Sequence, residues 1–170
     1  PLTGQPVEKV LPAVEPVTNV IVLLFAGWAL LSAENARRSR LWDVGLALSL
    51  ILALAGGVLT LNNWLSTAGT GFNATLPASA WMLAGLTLAG LMLIVLLLRV
   101  RVIPNAPLKA LFFIVILAGY GILLTQAASG ALAGDYGGAL RAAFLIAMAL
   151  YVAAVYRHVI ARLSQQMREA

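Results

Sequence analysis

Five apolar stretches account for most of this chain of 170 residues, and each is about as long as a helix that crosses a lipid bilayer. Only 10% of the residues are charged whereas 62% are hydrophobic, so the chain cannot cover a soluble globular surface with charge. The sequence therefore predicts an all-α integral membrane protein that folds as a five-helix transmembrane bundle. The predicted spans are residues 17–33, 41–65, 78–98, 107–128 and 138–156.

Basic residues alternate between the connections of the predicted bundle. They occur in the first connection, in the third and in the C-terminal tail, as Arg37, Arg38, Arg40, Arg99, Arg101, Lys109, Arg157, Arg162 and Arg168. The second connection holds no Lys or Arg, and the fourth holds only Asp135. Because cytoplasmic loops retain Lys and Arg, this alternation predicts an external N-terminus and a cytoplasmic C-terminus. Membrane insertion thus accounts for the basic residues, and we do not expect nucleic-acid binding.

Two segments flank the predicted transmembrane domain of residues 17–158. Residues 1–16 carry prolines at positions 1, 6, 12 and 16, which favour an extended external arm over a helix. Residues 159–170 place an apolar stripe opposite polar residues, which predicts a short amphipathic extension in the cytoplasm. The stripe consists of Val159, Ile160, Leu163 and Met167. It fits either the lipid headgroups or a cytoplasmic partner.

Small residues recur at intervals of four along two predicted spans. They are Gly45, Ser49, Ala53 and Gly57 in the second span, and Ala139, Ala143 and Ala147 in the fifth. This spacing makes a smooth stripe on a helix, and membrane helices pack closely along such stripes. All seven are therefore candidates for packing within the bundle or for docking another subunit. Gly56 and Gly57 are also candidates for a helix break of the kind that builds solute sites in transporters.

Four polar residues in or beside the spans are candidates for polar or lipid contacts. Asp43 lies at the cytoplasmic edge, where it fits an ion pair with basic neighbours or a cation site. His158 lies at the same edge, and Gln126 can hydrogen-bond across helices. Arg141 lies one turn inside the fifth span, from which its side chain can reach the outer headgroups. Because of Arg141 the fifth span is the weakest candidate, and a four-span bundle is the alternative.

The sequence predicts no catalytic, cofactor or metal site. Cysteine is absent and His158 is the single histidine, whereas a zinc site needs three or four ligands and a bis-histidine haem needs two histidines. The chain also lacks a phosphate-binding loop and paired acidic residues. We therefore do not expect an enzyme.

These observations favour a non-catalytic accessory subunit of a larger membrane protein complex, with an energy-transducing (electron-transfer) complex as one candidate. The expected partners are membrane lipids, other membrane subunits and a cytoplasmic protein at the C-terminal tail. The Ala-, Leu- and Gly-rich composition indicates a bacterial cytoplasmic (inner) membrane. The alternative is a small homo-oligomeric transporter or channel for a small solute or ion.

Overall fold

The computed structural model describes residues 7–31, 36–66, 71–72, 75–130 and 138–169. Within these ranges the chain is helical, without strands. The helices are α1 (Val7–Leu31), α2 (Ala36–Ser66), α3 (Leu76–Leu98), α4 (Ala106–Ala128) and α5 (Gly138–Glu169). All five are long and apolar enough to span a membrane, which confirms the prediction of an all-helical chain with five candidate spans.

Helix α1 begins at Val7, ten residues before the predicted span, and it contains Pro12 and Pro16. The prediction of an extended arm is therefore wrong for residues 7–16, while residues 1–6 lie outside the described part. A proline inside a helix removes one backbone hydrogen bond and costs about 3 kcal/mol. Packing on this segment opposes that cost, because the Ala13 and Val17 side chains are buried against the bundle. The helical form also carries Glu15 to α5.

Helix α1 occupies the middle of the bundle. It packs directly against α2 and α3, while α3 packs against α4 and α4 against α5. In the most apolar 18-residue segment of α1, 44% of the residues are buried, whereas the corresponding share in α2 is 11%. Helix α2 therefore lies at the periphery. The core is built from large apolar and aromatic side chains, of which the most enclosed are Leu23, Leu31, Leu96, Phe112, Phe113, Ile116 and Tyr120.

Contacts between helix ends show that α1, α3 and α5 run in one direction and that α2 and α4 run in the other. The start of α1 meets the start of α5, and the end of α2 meets the start of α3. We call this the Glu15 end, defined by Glu15, Thr60, Trp81 and Arg141. At the opposite end, α1 finishes beside the starts of α2 and α4. We call that the Trp28 end, defined by Trp28, Trp42, Asp43, Arg99 and Lys109.

The connection between α2 and α3 is closed by local contacts at the Glu15 end. The Trp64 and Phe72 rings are buried and meet edge to face, with centroids 5.3 Å apart. The Thr75 hydroxyl then caps α3 by accepting a hydrogen bond from the Ala78 N–H (3.4 Å), and Pro77 occupies the first helical turn. Proline suits that turn because its missing N–H would have no partner there. Helix α3 therefore begins where these local signals place it.

Helix α2 is continuous from Ala36 to Ser66 and passes through Gly56 and Gly57 without a break. The predicted break is therefore wrong. Both glycines instead face neighbouring helices. A Cβ atom at Gly57 would lie 2.8 Å from Val17 Cγ1, and one at Gly56 would lie 3.3 Å from Trp81 Cζ2. These glycines allow α1 and α3 to approach α2 closely.

Candidate functional site: polar contacts at the two ends of the bundle

The Glu15 end carries an ion pair between the first and the last helix. Arg141 Nε and Nη2 donate to the two carboxylate oxygens of Glu15, each at 2.6 Å. This two-point geometry fixes the orientation of both groups. The Glu15 side chain is 22% exposed and that of Arg141 is 48% exposed, so the pair lies at the rim of the bundle. It joins residues 126 positions apart in the sequence.

The sequence singled out Arg141 but assigned Glu15 to the extended arm. The prediction that Arg141 reaches outward is incomplete, because its guanidinium also binds the Glu15 carboxylate. A signal was nevertheless present in the sequence. Glu15 and Arg141 are opposite charges near the starts of two spans that enter the membrane from the same predicted side. Charges at similar depth in a bilayer tend to pair with each other.

Hydrogen bonds between helices hold the Trp28 end together. Trp28 Nε1 donates a hydrogen bond to Asp43 Oδ1 (2.9 Å), which ties α1 to α2. Lys109 Nζ donates to the Leu30 carbonyl oxygen (2.8 Å) in the last turn of α1. This places a cation at a helix C-terminus, where carbonyl oxygens lack helical partners. Asp43 therefore holds α1 and α2 together through the Trp28 indole, whereas the sequence suggested basic neighbours as its partners.

A cation–aromatic contact completes the Trp28 end. The Arg99 guanidinium lies 5.7 Å from the centroid of the Trp42 ring, so it joins the end of α3 to the start of α2. Such contacts contribute about 0.5–1 kcal/mol at exposed sites. Together with the Trp28 and Lys109 contacts, this one connects four helices at one end of the bundle.

Between its two ends the bundle is apolar. Among the residues that the structure describes, none of the polar or charged types is buried. Among the side-chain nitrogen and oxygen atoms of the described residues, the one that is buried without a hydrogen-bond partner is the Tyr120 hydroxyl oxygen. It lies against Gly85 of α3, where a Cβ atom would overlap the phenol ring. Gly85 thus makes space for the ring without providing a partner for its hydroxyl.

Replacing Tyr120 by phenylalanine is expected to raise thermal stability. The substitution keeps the ring and removes a buried hydroxyl whose desolvation costs about 1–3 kcal/mol. The measurement is the melting temperature of the detergent-solubilised protein. Tyr156→Phe is the matched control, because the Tyr156 side chain is 64% exposed and its hydroxyl can reach solvent. A lower melting temperature for Tyr120→Phe than for the control would contradict the conclusion that the Tyr120 hydroxyl lacks a hydrogen-bond partner.

A cleft of about 330 Å³ separates α1 from α5. Its lining is apolar and aromatic, and consists of Val22, Phe25, Ala26, Trp28, Ala29, Met148 and Tyr151. Apart from the Trp28 indole and the Tyr151 hydroxyl, the lining offers no polar side chain. The Glu15–Arg141 pair joins the same two helices nearer their starts. This composition suits an apolar occupant such as an acyl chain better than an ion.

The small-residue stripes lie largely inside the bundle. Ala143 and Ala147 of α5 are buried, and Ala139 is half-buried. In α2, Ala53 is buried, Ser49 and Gly57 are half-buried, and Gly45 is exposed with open space around it. The α5 stripe therefore packs within the protein. Of the α2 stripe, only the part near Gly45 lies free of neighbouring helices.

The remaining candidates lie near helix ends. Gln126 is half-buried in the last turn of α4, where its backbone carbonyl accepts from the Ser129 hydroxyl (3.0 Å). His158 is half-buried on α5. Within the described ranges no three His, Cys, Asp or Glu side chains come together as metal ligands would. Comparison of the chain with protein-family models, with curated proteins and with solved structures finds no match.

Proposed function

We propose that this protein is a non-catalytic accessory subunit of a larger membrane complex in the bacterial cytoplasmic membrane. The observation that carries the proposal is the distribution of polar groups. In the described part of the chain they join helices at the two ends, while the interior between the ends is apolar. Ion and proton pathways need ionisable groups at depth. An apolar bundle suits a role in supporting and positioning other subunits.

Helix α2 supplies the surface for such neighbours. It exposes apolar side chains from Leu41 to Leu59, and two of the most exposed, Leu52 and Leu59, lie seven residues apart on one face at 72% and 69% exposure. Lipid or the helices of another subunit can cover this face. An energy-transducing complex is one setting in which a peripheral helix of this kind would pack against a partner subunit.

The proposed orientation has an external N-terminus and a cytoplasmic C-terminus. Its support is the grouping of basic side chains at one end of the bundle. Arg99 and Lys109 lie at the Trp28 end with Arg101 between them in the sequence, whereas Arg141 at the other end is paired with Glu15. This is the asymmetry that cytoplasmic loops show. Because the chain has no cysteine, single cysteines at Arg101 and Gly71 can test it by labelling intact cells with a membrane-impermeant maleimide.

Photo-cross-linking in native membranes tests the proposed role. A photoreactive amino acid at Leu52 or Leu59 is expected to capture a different protein of defined size, because both positions face outward. The matched control is Ala53, which is buried within the bundle and should give only internal cross-links. Mild detergent extracts run on native gels should show the same partner. Species that contain this chain alone, in both assays, would contradict the proposal.

The alternative is a small homo-oligomeric transporter or channel. The main support for this function was a predicted break in α2 at Gly56 and Gly57, but the helix is continuous there. A flux assay on purified protein in liposomes, with a broad panel of solutes and ions, separates the two functions. Flux above that of empty liposomes would favour the transporter, and the accessory role predicts none.

A further inference from the structure

Helix α5 has two apolar faces, and only one of them packs within the bundle. The packed face holds Leu140, Ala143, Ala147 and Ala154, all buried against neighbouring helices. The other side is exposed, and it includes Leu145, Val152 and Val159. One line along this exposed side consists of Ile146, Ala149, Ala153, Tyr156, Ile160, Leu163 and Met167. We call these seven residues the α5 seam. The seam lies on the opposite side of the helix from the packed face, since the two sets are offset by nearly half a turn.

The length of α5 carries the seam beyond a bilayer. Its 32 residues extend over roughly 48 Å at 1.5 Å per residue, whereas the hydrocarbon core of a bilayer is about 30 Å thick. About a dozen residues of α5 therefore lie outside the hydrocarbon. Acyl chains can cover Ile146 and its neighbours, but they cannot cover Leu163 and Met167. These two side chains are 52% and 75% exposed.

The spacing of the seam beyond the span is that of a coiled coil. From Tyr156 the seam continues at Ile160, Leu163 and Met167, in steps of four, three and four residues. This alternation keeps one narrow stripe in line over two heptads, as in a helix that packs against a second helix along its length. Inside the span nearly every position is apolar, so the informative part of the seam is the part beyond it.

Residue types along the seam favour a pair of identical helices. In the heptad register Ile160 takes position a and Leu163 takes position d, the combination that favours two parallel strands. The charged residues beside this stretch fall off the seam, with Arg157 at position e and Arg168 at position b. No like charges would therefore meet at the centre of a symmetric pair. Two copies inserted with one orientation also present their α5 helices parallel, so each seam faces its own equivalent.

We propose that the α5 seam is the contact surface for a second copy of this chain, in a parallel dimer that extends from the membrane into the adjoining aqueous phase. The continuity of α5 favours a second copy of the chain, and not the lipid headgroups, as the partner of the seam. Helix α5 continues without interruption from Gly138 to Glu169, as packing along a second helix requires. The dimer adds a self-association to the accessory role and is independent of whether other subunits bind α2.

Cysteine cross-linking in native membranes tests the dimer without background, because the full chain has no cysteine. Single cysteines at Ile160 and Leu163 should give a disulfide-linked band of twice the chain mass after mild oxidation. The matched controls are Ala161→Cys and Arg168→Cys, which lie on the same exposed stretch but off the seam. They should remain monomeric.

Three other results would overturn the dimer. Equal cross-linking at seam and control positions would indicate collision, and no cross-linking at either seam position would indicate that no second copy is there. A product of different mass at Ile160 or Leu163, captured with a bifunctional maleimide, would assign the seam to another protein. Each of these leaves the α2 cross-linking result unaffected, so failure of the dimer and failure of the accessory role can be told apart.

Discussion

Replacement of Arg141 by alanine is expected to lower the stability of the bundle by about 1–3 kcal/mol, between the values typical of exposed and buried ion pairs. The substitution removes both hydrogen bonds to the Glu15 carboxylate and leaves an acidic group on the central helix without its cation. Glu15→Gln should have a smaller effect. The long Arg141 side chain can still reach the headgroup region, whereas the shorter Glu15 side chain has less reach.

The charge exchange Glu15→Arg with Arg141→Glu is the control that identifies the pair as the cause. Because it reverses both charges at one place, it should restore much of the stability lost by either single change. The measurement is the melting temperature in detergent, together with the yield of folded protein that elutes as one symmetric peak in size-exclusion chromatography. A double variant no more stable than Arg141→Ala would show that the pair does not hold α1 to α5.

Replacement of Gly119 by alanine is expected to separate α4 from α5. A Cβ atom at Gly119 would lie 2.5 Å from the Ala143 Cβ and 3.4 Å from the Leu140 Cα. These atoms belong to or adjoin the α5 backbone, so no side-chain rotation can relieve the overlap, and the helices must move apart. Overpacking of this kind costs about 1–3 kcal/mol. Thermal unfolding of the solubilised protein should show the loss.

Two matched variants make this prediction specific. Gly121→Ala lies two residues along α4, where a Cβ atom would meet nothing within 4 Å, and it should be neutral or slightly stabilising. Ala143→Gly removes the opposing methyl group, so the double variant Gly119→Ala with Ala143→Gly should regain stability. Because replacing glycine by alanine raises helix propensity, equal destabilisation by Gly119→Ala and Gly121→Ala would show that the contact with Ala143 is not the cause.

The five long apolar helices could be predicted from the sequence because length and apolarity are local properties. The prediction of an extended arm was wrong because it used the effect of proline on the neighbouring backbone, which is also a local property. Pro12 and Pro16 disfavour a helix in isolation, but the burial of Ala13 and Val17 depends on helices distant in the sequence. A prediction from local sequence cannot include the stabilisation that Ala13 and Val17 gain from packing against those helices.

The polar contacts were predicted only in part for the same reason. Asp43 was identified as an edge residue, but its contact with the Trp28 indole depends on how α1 and α2 are rotated about their axes. Spacing along one helix predicted that Ala143 packs against something, without indicating that Gly119 lies opposite it. Sequence periodicity gives the face of a helix that is suited to contact, and tertiary packing decides which residue meets it.

The Glu15–Arg141 pair has a consequence for the order of biosynthesis. Glu15 lies on α1, while its cation lies on α5, 126 residues later in synthesis. Until α5 is synthesised, the Glu15 carboxylate has no Arg141 to bind, so this contact of α1 forms late. Helix α5, which is translated after α1, thus fixes the position of α1, and a chain arrested before Arg141 lacks the ion pair that joins the two helices.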